Sequence, residues 1–184
     1  MSLVYTTSST EKDLLGIIAL QKNNLATKLK EDEISTQGFV TVAHRLHDLK
    51  KMNVVEQHII CKDIEKVVAY LLAMTVQSQY EIPVLLPMFK MFEQILYKRK
   101  LVSTYNYMVV GQVCVDINYR GQGILDKCYE HYKTCFSKKY DFAITEIASR
   151  NIRSIKAHQR IGFTEIHKYT ATDKEEWSIV VLEW

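Results

Sequence analysis

Apolar residues recur along this chain at two spacings. Leu14, Leu15, Ile18 and Leu25 follow a helical interval behind Ser9-Thr10-Glu11-Lys12-Asp13, where a hydroxyl can cap free amides and acids fill the first turn. Residues 4–7 before them read as a short strand. A second helical pattern covers residues 41–51, with Val42, Leu46 and Leu49 on one side. Residues 57–61 and 66–74 read as strands around a hairpin turn at Asp63-Ile64-Glu65. Both prolines, Pro83 and Pro87, lie between residues 77 and 106, and a helix is predicted to begin near Pro87 because proline fits a helix's first turn.

The last third is the most regular. Residues 108–117 read as a strand, Tyr119-Arg120-Gly121-Gln122-Gly123 as a turn, and Leu125, Cys128, Tyr132 and Cys135 as one stripe of an amphipathic helix. A strand over 141–147 leads to a further helix whose face carries Asn151, Ser154, Ile155, His158 and Ile161, with Gly162 as its cap. Residues 163–167 and 177–182 close the pattern as strands. Strands and helices interleaved in this order predict a mixed α/β domain.

Composition narrows the function. The chain has 184 residues, 47% of them hydrophobic and 24% charged, with two prolines and six glycines, which fits one compact domain over residues 1–184 and argues against a disordered or low-complexity chain. A net charge of +3 gives no electrostatic footprint for nucleic acid or a membrane surface. Lys98-Arg99-Lys100 reads as a solvated helix end, and nine of the eleven tyrosines fall in strands and helices where packing explains them. No apolar run approaches the ~20 residues that cross a bilayer, and no secretory signal is visible. Cys61, Cys114, Cys128 and Cys135 show neither a CxxC pair nor zinc spacing, so reduced thiols and a cytoplasmic location are expected. His44-x-x-His47-Asp48 lacks a third ligand at a known spacing, and no metal is expected.

The turn after Ile117 carries the chemistry. A strand that runs through Arg120-Gly121-Gln122-Gly123 into a helix leaves amides free at the helix N-terminus, where the dipole suits a phosphate or pyrophosphate. An ordinary tight turn remains the alternative. No Gly-Lys-Ser/Thr follows, so a Walker loop is excluded, and the dinucleotide fingerprint fails for want of a third glycine after Gly123.

Here the chain resembles the GCN5-related N-acetyltransferase (GNAT) superfamily. Val113-x-Val115-x-x-x-Tyr119-Arg120-Gly121-x-Gly123-Ile124 is similar to its coenzyme-A motif, usually written Arg/Gln-x-x-Gly-x-Gly/Ala. One helix and one strand later, Asn151-x-x-Ser154-x-x-x-His158-x-x-x-Gly162-Phe163 is similar to the family's Asn-x-x-Ala-x-x-x-Tyr-x-x-x-Gly-Phe. Three places depart from the pattern: Leu125 fills the third Gly/Ala position, His158 replaces the tyrosine, and residues 77–106 separate strands that the family usually joins closely.

The resemblance implies a GNAT-like domain with a central twisted mixed sheet of about six to seven strands, flanked by helices and carrying a helical insertion between residues 77 and 106. It implies acetyl transfer from acetyl-CoA, as co-substrate, to a primary amine on a small molecule or peptide. For the cofactor it implies the strand backbone at Val115, Asp116 and Ile117, the turn residues Arg120, Gly121, Gln122 and Gly123, the helix start Ile124, Leu125 and Asp126, and Asn151 with Ser154. Glu146 is the candidate base, its alternative being a strand glutamate in solvent or in an ion pair. His158 is the candidate proton donor to the departing sulfur, its alternative being a packed helix histidine. Asn151 also suits a helix N-cap. The apolar insertion is expected to wall the acceptor pocket or to form a homodimer contact. A non-catalytic acyl-CoA sensor or scaffold of the same fold is the alternative function, and a domain that has lost its cofactor is a third.

Overall fold

Thr10 and Asp13 start the first helix, α1 (Glu11–Lys22). The Thr10 hydroxyl accepts from the Asp13 amide while the Asp13 carboxylate accepts from the Thr10 amide, so two donors without intrahelical partners are satisfied. β1 (Leu3–Thr7) precedes it. The computed structural model describes residues 2–30, 34 and 36–184; Met1, residues 31–33 and residue 35 lie outside the described residues.

Helix α2 (Leu46–Val55) begins later and runs further than the sequence pattern predicts. Asp48 accepts the Arg45 amide at 2.9 Å and fixes the start at Leu46. Residues 41–44 are drawn away from a helix by distant partners: Gln112 donates to the Val42 carbonyl, and the Gln21 side chain pairs with both main-chain groups of His44. Leu25, expected on α1, lies beyond its end and bridges to Val40.

β2 (Ile59–Asp63) and β3 (Lys66–Met74) form the predicted hairpin. The insertion follows as two short helices, α3 (Ser78–Glu81) and α4 (Leu86–Phe92), with Pro87 in the first turn of α4. A small hairpin, β4 (Leu96–Tyr97) and β5 (Lys100–Leu101), comes next. Lys98 and Arg99 turn this hairpin at positive φ, so the basic triplet sits on a β-turn and not on a helix end.

The remaining elements are β6 (Met108–Val115), α5 (Ile124–Phe136), β7 (Phe142–Ala148), α6 (Ile152–Ile161), β8 (Thr164–Thr170) and β9 (Glu176–Glu183). Seven strands make one sheet in the order β1-β2-β3-β6-β7-β9-β8. All neighbours are antiparallel except β6 and β7. On one face, Leu14 and Ile17 of α1, Leu49 of α2, and Phe89 and Phe92 of the insertion cover Ile60, Leu72, Val109 and Ile144. On the other, Cys128, Tyr132 and Phe136 of α5 cover Ile59, Leu71, Val110 and Ala143.

Candidate active site

The parallel pair comes apart. β6 and β7 are in register only at Met108↔Ala143 and Val109↔Ile144, after which their main chains no longer pair. A bulge in β6 is the cause. Val110 lies opposite Ala73 and Val113 opposite Leu71, so Gly111 and Gln112 occupy the space that Leu72 alone fills on β3. Glycine leaves room there for Met74, whose side chain would have to move for a Cβ on Gly111, 2.2 Å from it. Gln112 turns inward, accepting from the Tyr70 hydroxyl at 2.6 Å and donating to the Val42 carbonyl at 2.8 Å. Thr145 closes the end of the ladder: its hydroxyl donates to the Val110 carbonyl at 2.7 Å, where a β7 amide would otherwise bond.

Beyond the bulge one edge of β6 is unpaired. The Asp116 amide donates to the Val68 carbonyl at 2.8 Å, so by antiparallel alternation Cys114 and Asp116 bond β3 while Val113 and Val115 direct their main-chain groups into the gap beside β7. At the top of this gap the chain enters α5 through Gly121 and Gly123, at φ +76 and +72. Nothing lies within 4 Å of where a Cβ would stand on either glycine. The first main-chain bond of the helix is Lys127 N–H to the Gly123 carbonyl, which leaves the amides of residues 121–126 without a main-chain acceptor among the described residues. These amides, the β6 edge and α6 enclose a cleft of about 450 Å³, whose walls include Arg153, Arg160 and Ser154.

A smaller cleft of about 70 Å³ opens from the same gap on the α1 side, sharing Phe39, Val40, Val113, Asn151, Ser154 and His158 with the first. Glu146 lines it, with Trp177 and Thr41. Burial pushes the Glu146 carboxyl up from 4.5 to about 7, against the opposing effect of the Tyr169 hydroxyl, which donates to Oε2 at 2.6 Å. A carboxylate of this proton affinity can take a proton at neutral pH and release it again.

No protein-family profile matches the chain, and no curated protein matches it by sequence. Solved structures do match over its whole length. One chain of the NatC complex, crystallised with a Gag peptide and CoA, superposes with a TM-score of 0.66 at 13% identity, covering 100% of this chain and 99% of that one. This is the GNAT fold. Ard1 from Thermoplasma volcanium gives 0.64 at 12% identity, covering 100% and 98%. Arabidopsis thaliana Naa50, in complex with the bisubstrate analogue CoA-Ac-MVNAL, gives 0.62 at 11% identity, covering 100% of both chains.

Within this GNAT fold the residues singled out in the sequence take different places. Val115, Gly121, Gly123, Ile124, Leu125 and Asp126 line the large cleft; Gln122 turns its side chain to the Asn118 carbonyl. Leu125 packs against the α5-side core, clear of the loop's amides. Asp116 departs from expectation: its amide is spent on β3, and its carboxylate pairs with Lys66 at 2.7 Å and accepts the Asn118 amide. Ile117 begins a turn of 3-10 helix and is exposed. Arg120 lines the large cleft as well, and its guanidinium donates to the Val115 carbonyl, the Gln37 carbonyl and Asn24 Oδ1. It thereby ties the glycine loop to the segment that leads to Phe39. Asn151 does two things at once, accepting the Ser154 amide as the α6 N-cap and donating to the Phe39 carbonyl at 3.0 Å. Asp126 pairs with Arg160 across the cleft mouth, Nη2 to Oδ2 at 2.9 Å.

His158 is buried, and its protons are assigned by its partners. Nδ1 lies 2.8 Å from the Ser154 carbonyl, which can only accept, so Nδ1 carries the hydrogen and Nε2 accepts from the Tyr129 hydroxyl at 2.8 Å. Burial lowers its pKa from 6.5 to about 4, so at neutral pH the ring is uncharged and has no further proton to give. The insertion lies away from both clefts. No residue between 77 and 106 lines either cleft. Its Phe92 stacks edge-on against Tyr107 and its Tyr97 against Phe142, at the end of the sheet where β6 and β7 begin, while Tyr80, Val84 and Leu96 remain exposed.

Proposed function

We propose that this protein is an N-acetyltransferase that moves an acetyl group from acetyl-CoA to a primary amine, with a peptide amino terminus as the acceptor class. The observation that carries the reading is the position of Glu146 in the gap between β6 and β7, in a cleft that shares Val113, Asn151 and Ser154 with the one lined by the loop at the start of α5. The donor set fits the co-substrate: amides at a helix N-terminus suit its diphosphate, and the β6 edge at Val113 and Val115 suits the amide-bearing arm. Arg153 adds positive charge to the same walls, while the charge of Arg160 is met by Asp126. The likeness to the NatC structure, which holds a Gag peptide and CoA, and to Naa50 with CoA-Ac-MVNAL supports the choice of acceptor.

Acetyl-CoA supplies the acetyl group as a thioester. Glu146 takes the proton that the acceptor nitrogen sheds, directly or through one water, as the nitrogen's lone pair forms the C–N bond. The free β6 amides donate to the carbonyl oxygen as charge builds on it. Ser154, whose residue lines both clefts, offers a hydroxyl to the sulfur as the C–S bond breaks, and solvent returns the proton to the thiolate. His158 holds α6 against Tyr129 and takes no part in proton transfer.

A thiol-release assay with acetyl-CoA tests the reading, using short peptides with free and blocked amino termini beside a panel of small amines. Release that requires a free amino terminus and falls by about 10²-fold or more in Glu146→Gln is the expected result. The neutral, fully engaged His158 favours a second reading, a non-catalytic acyl-CoA binder. Tight acetyl-CoA binding without release on any amine would decide for that one.

A further inference from the structure

β8 contains one residue more than its partner strand needs. Glu165 pairs with Val180 and His167 with Ile179, so Ile166 has no partner on β9. Strand alternation fixes the consequence. Without the extra residue, Tyr169 would fall on the α5 face of the sheet. With it, Tyr169 lies opposite Trp177 and on the face of Ile179, whose partner on β7 is Glu146. From that face its hydroxyl reaches Glu146 Oε2 at 2.6 Å, while no group among the described residues donates to Oε1. The other side chains around this cleft include Phe39, Thr41, Gln112, Trp177 and the neutral His158, none of them charged. Burial and the hydrogen bond to Glu146, with a smaller effect of Asp173 in the β8–β9 turn, raise the proton affinity of Tyr169, so the phenol remains a donor.

We propose that Tyr169 is a positioning residue for Glu146, turned onto it by the β8 bulge to hold Oε2 so that Oε1 is the oxygen that takes the acceptor's proton. The inference rests on the reading of Glu146 as the base. In that step the acceptor's N–H bond breaks as the nitrogen's lone pair bonds to the carbonyl carbon, the N–H electron pair stays on nitrogen, and the proton forms an O–H bond at Oε1.

The test uses the free, full-length protein labelled with [13C]glutamate, with the Glu146 carboxyl resonance identified by its loss in Glu146→Gln. In Tyr169→Phe the titration midpoint of that resonance rises by about one pH unit, since a donor to the ionised form is gone. Site-specific 3-fluorotyrosine at position 169, a stronger donor on an unchanged ring, lowers it. The acidic limb of kcat/KM for a peptide amine moves with the midpoint in both variants, and the acetyl-CoA Kd stays within about twofold. A midpoint unmoved in either variant overturns the inference about Tyr169. A midpoint that moves while the rate profile does not overturns Glu146 as the base, and the catalytic sense of the inference with it.

Discussion

His44, His58 and His158 are buried, and burial lowers each pKa from 6.5 to about 4. Among the described residues neither nitrogen of His44 has a hydrogen-bond partner, and only the charge of Asp48 favours its protonated form. The unfolded chain binds a proton at each site near 6.5, before the folded protein does. Stability is therefore fully present above that value and is lost as pH falls toward the folded value near 4. Between about pH 7.5 and about pH 5 each imidazole removes about 2 kcal/mol, or about 6 kcal/mol for the three. Glu146 acts with the opposite sign. Its folded pKa of about 7 lies above the unfolded 4.5, so it takes up its proton first in the folded state and returns about 2.5 kcal/mol over the same interval. Asp13, Asp48 and Asp116, held below the ordinary carboxylate range, lose their contribution only at still lower pH. The expected net loss is about 3.5 kcal/mol, a large part of the 5–15 kcal/mol typical of a domain. Urea unfolding followed by the fluorescence of Trp177 and Trp184 at the two pH values measures it. Glu146→Gln, which lacks the offset, loses about 6 kcal/mol over the same range. Equal stability at both pH values, to within about 1 kcal/mol, would mean that these imidazoles titrate as if in water and would refute the burial argument.

Other outcomes follow from single contacts. Gly123→Val forces a branched residue into positive φ and puts its side chain into the large cleft, so calorimetry finds the acetyl-CoA Kd weakened more than about tenfold and stability lower by about 1–2 kcal/mol. His158→Phe leaves the Tyr129 hydroxyl without its acceptor and costs about 1–3 kcal/mol in denaturant unfolding, yet the limbs of the pH–rate profile stay where they are. In Thr145→Val the Val110 carbonyl loses its donor at the point where the two strands separate; thermal unfolding reports a loss of about 1–2 kcal/mol.

The local signals in the sequence account for much of this fold. Thr10 and Asn151 cap the helices that follow them, Gly162 ends α6 at φ +112, and the glycines before α5 take the positive φ that only they adopt freely. Each of these depends on neighbours a few residues away. The features that open the site depend on distant ones. A glycine inside the strand at Gly111 is the visible sign of the bulge, but the strand's departure from β7 needs Met74 and Gln112 in place. Arg120 has the right residue type for phosphate, and its destination at Asn24 and Gln37 is set by tertiary structure. Tyr169 is unreadable without the bulge at Ile166, since simple alternation assigns it to the wrong face. Phe89 and Phe92 have the same composition whether they wall a pocket or fill a core, and only packing decides between the two. His158 falls on the expected helix face, but its partner Tyr129, on another helix, fixes which nitrogen holds the proton.

The central claim concerns the amides of residues 121–126 at the start of α5, which have no main-chain acceptor among the described residues, and amide NMR on the 15N-labelled protein during an acetyl-CoA titration tests it most directly. The account predicts that the Gly121, Gly123, Ile124 and Leu125 resonances shift as the diphosphate accepts their hydrogens, while the Asp116 amide, bonded to Val68, stays near its starting position. Saturable binding that leaves the residue 121–126 amides unmoved, or no binding at all, would contradict it.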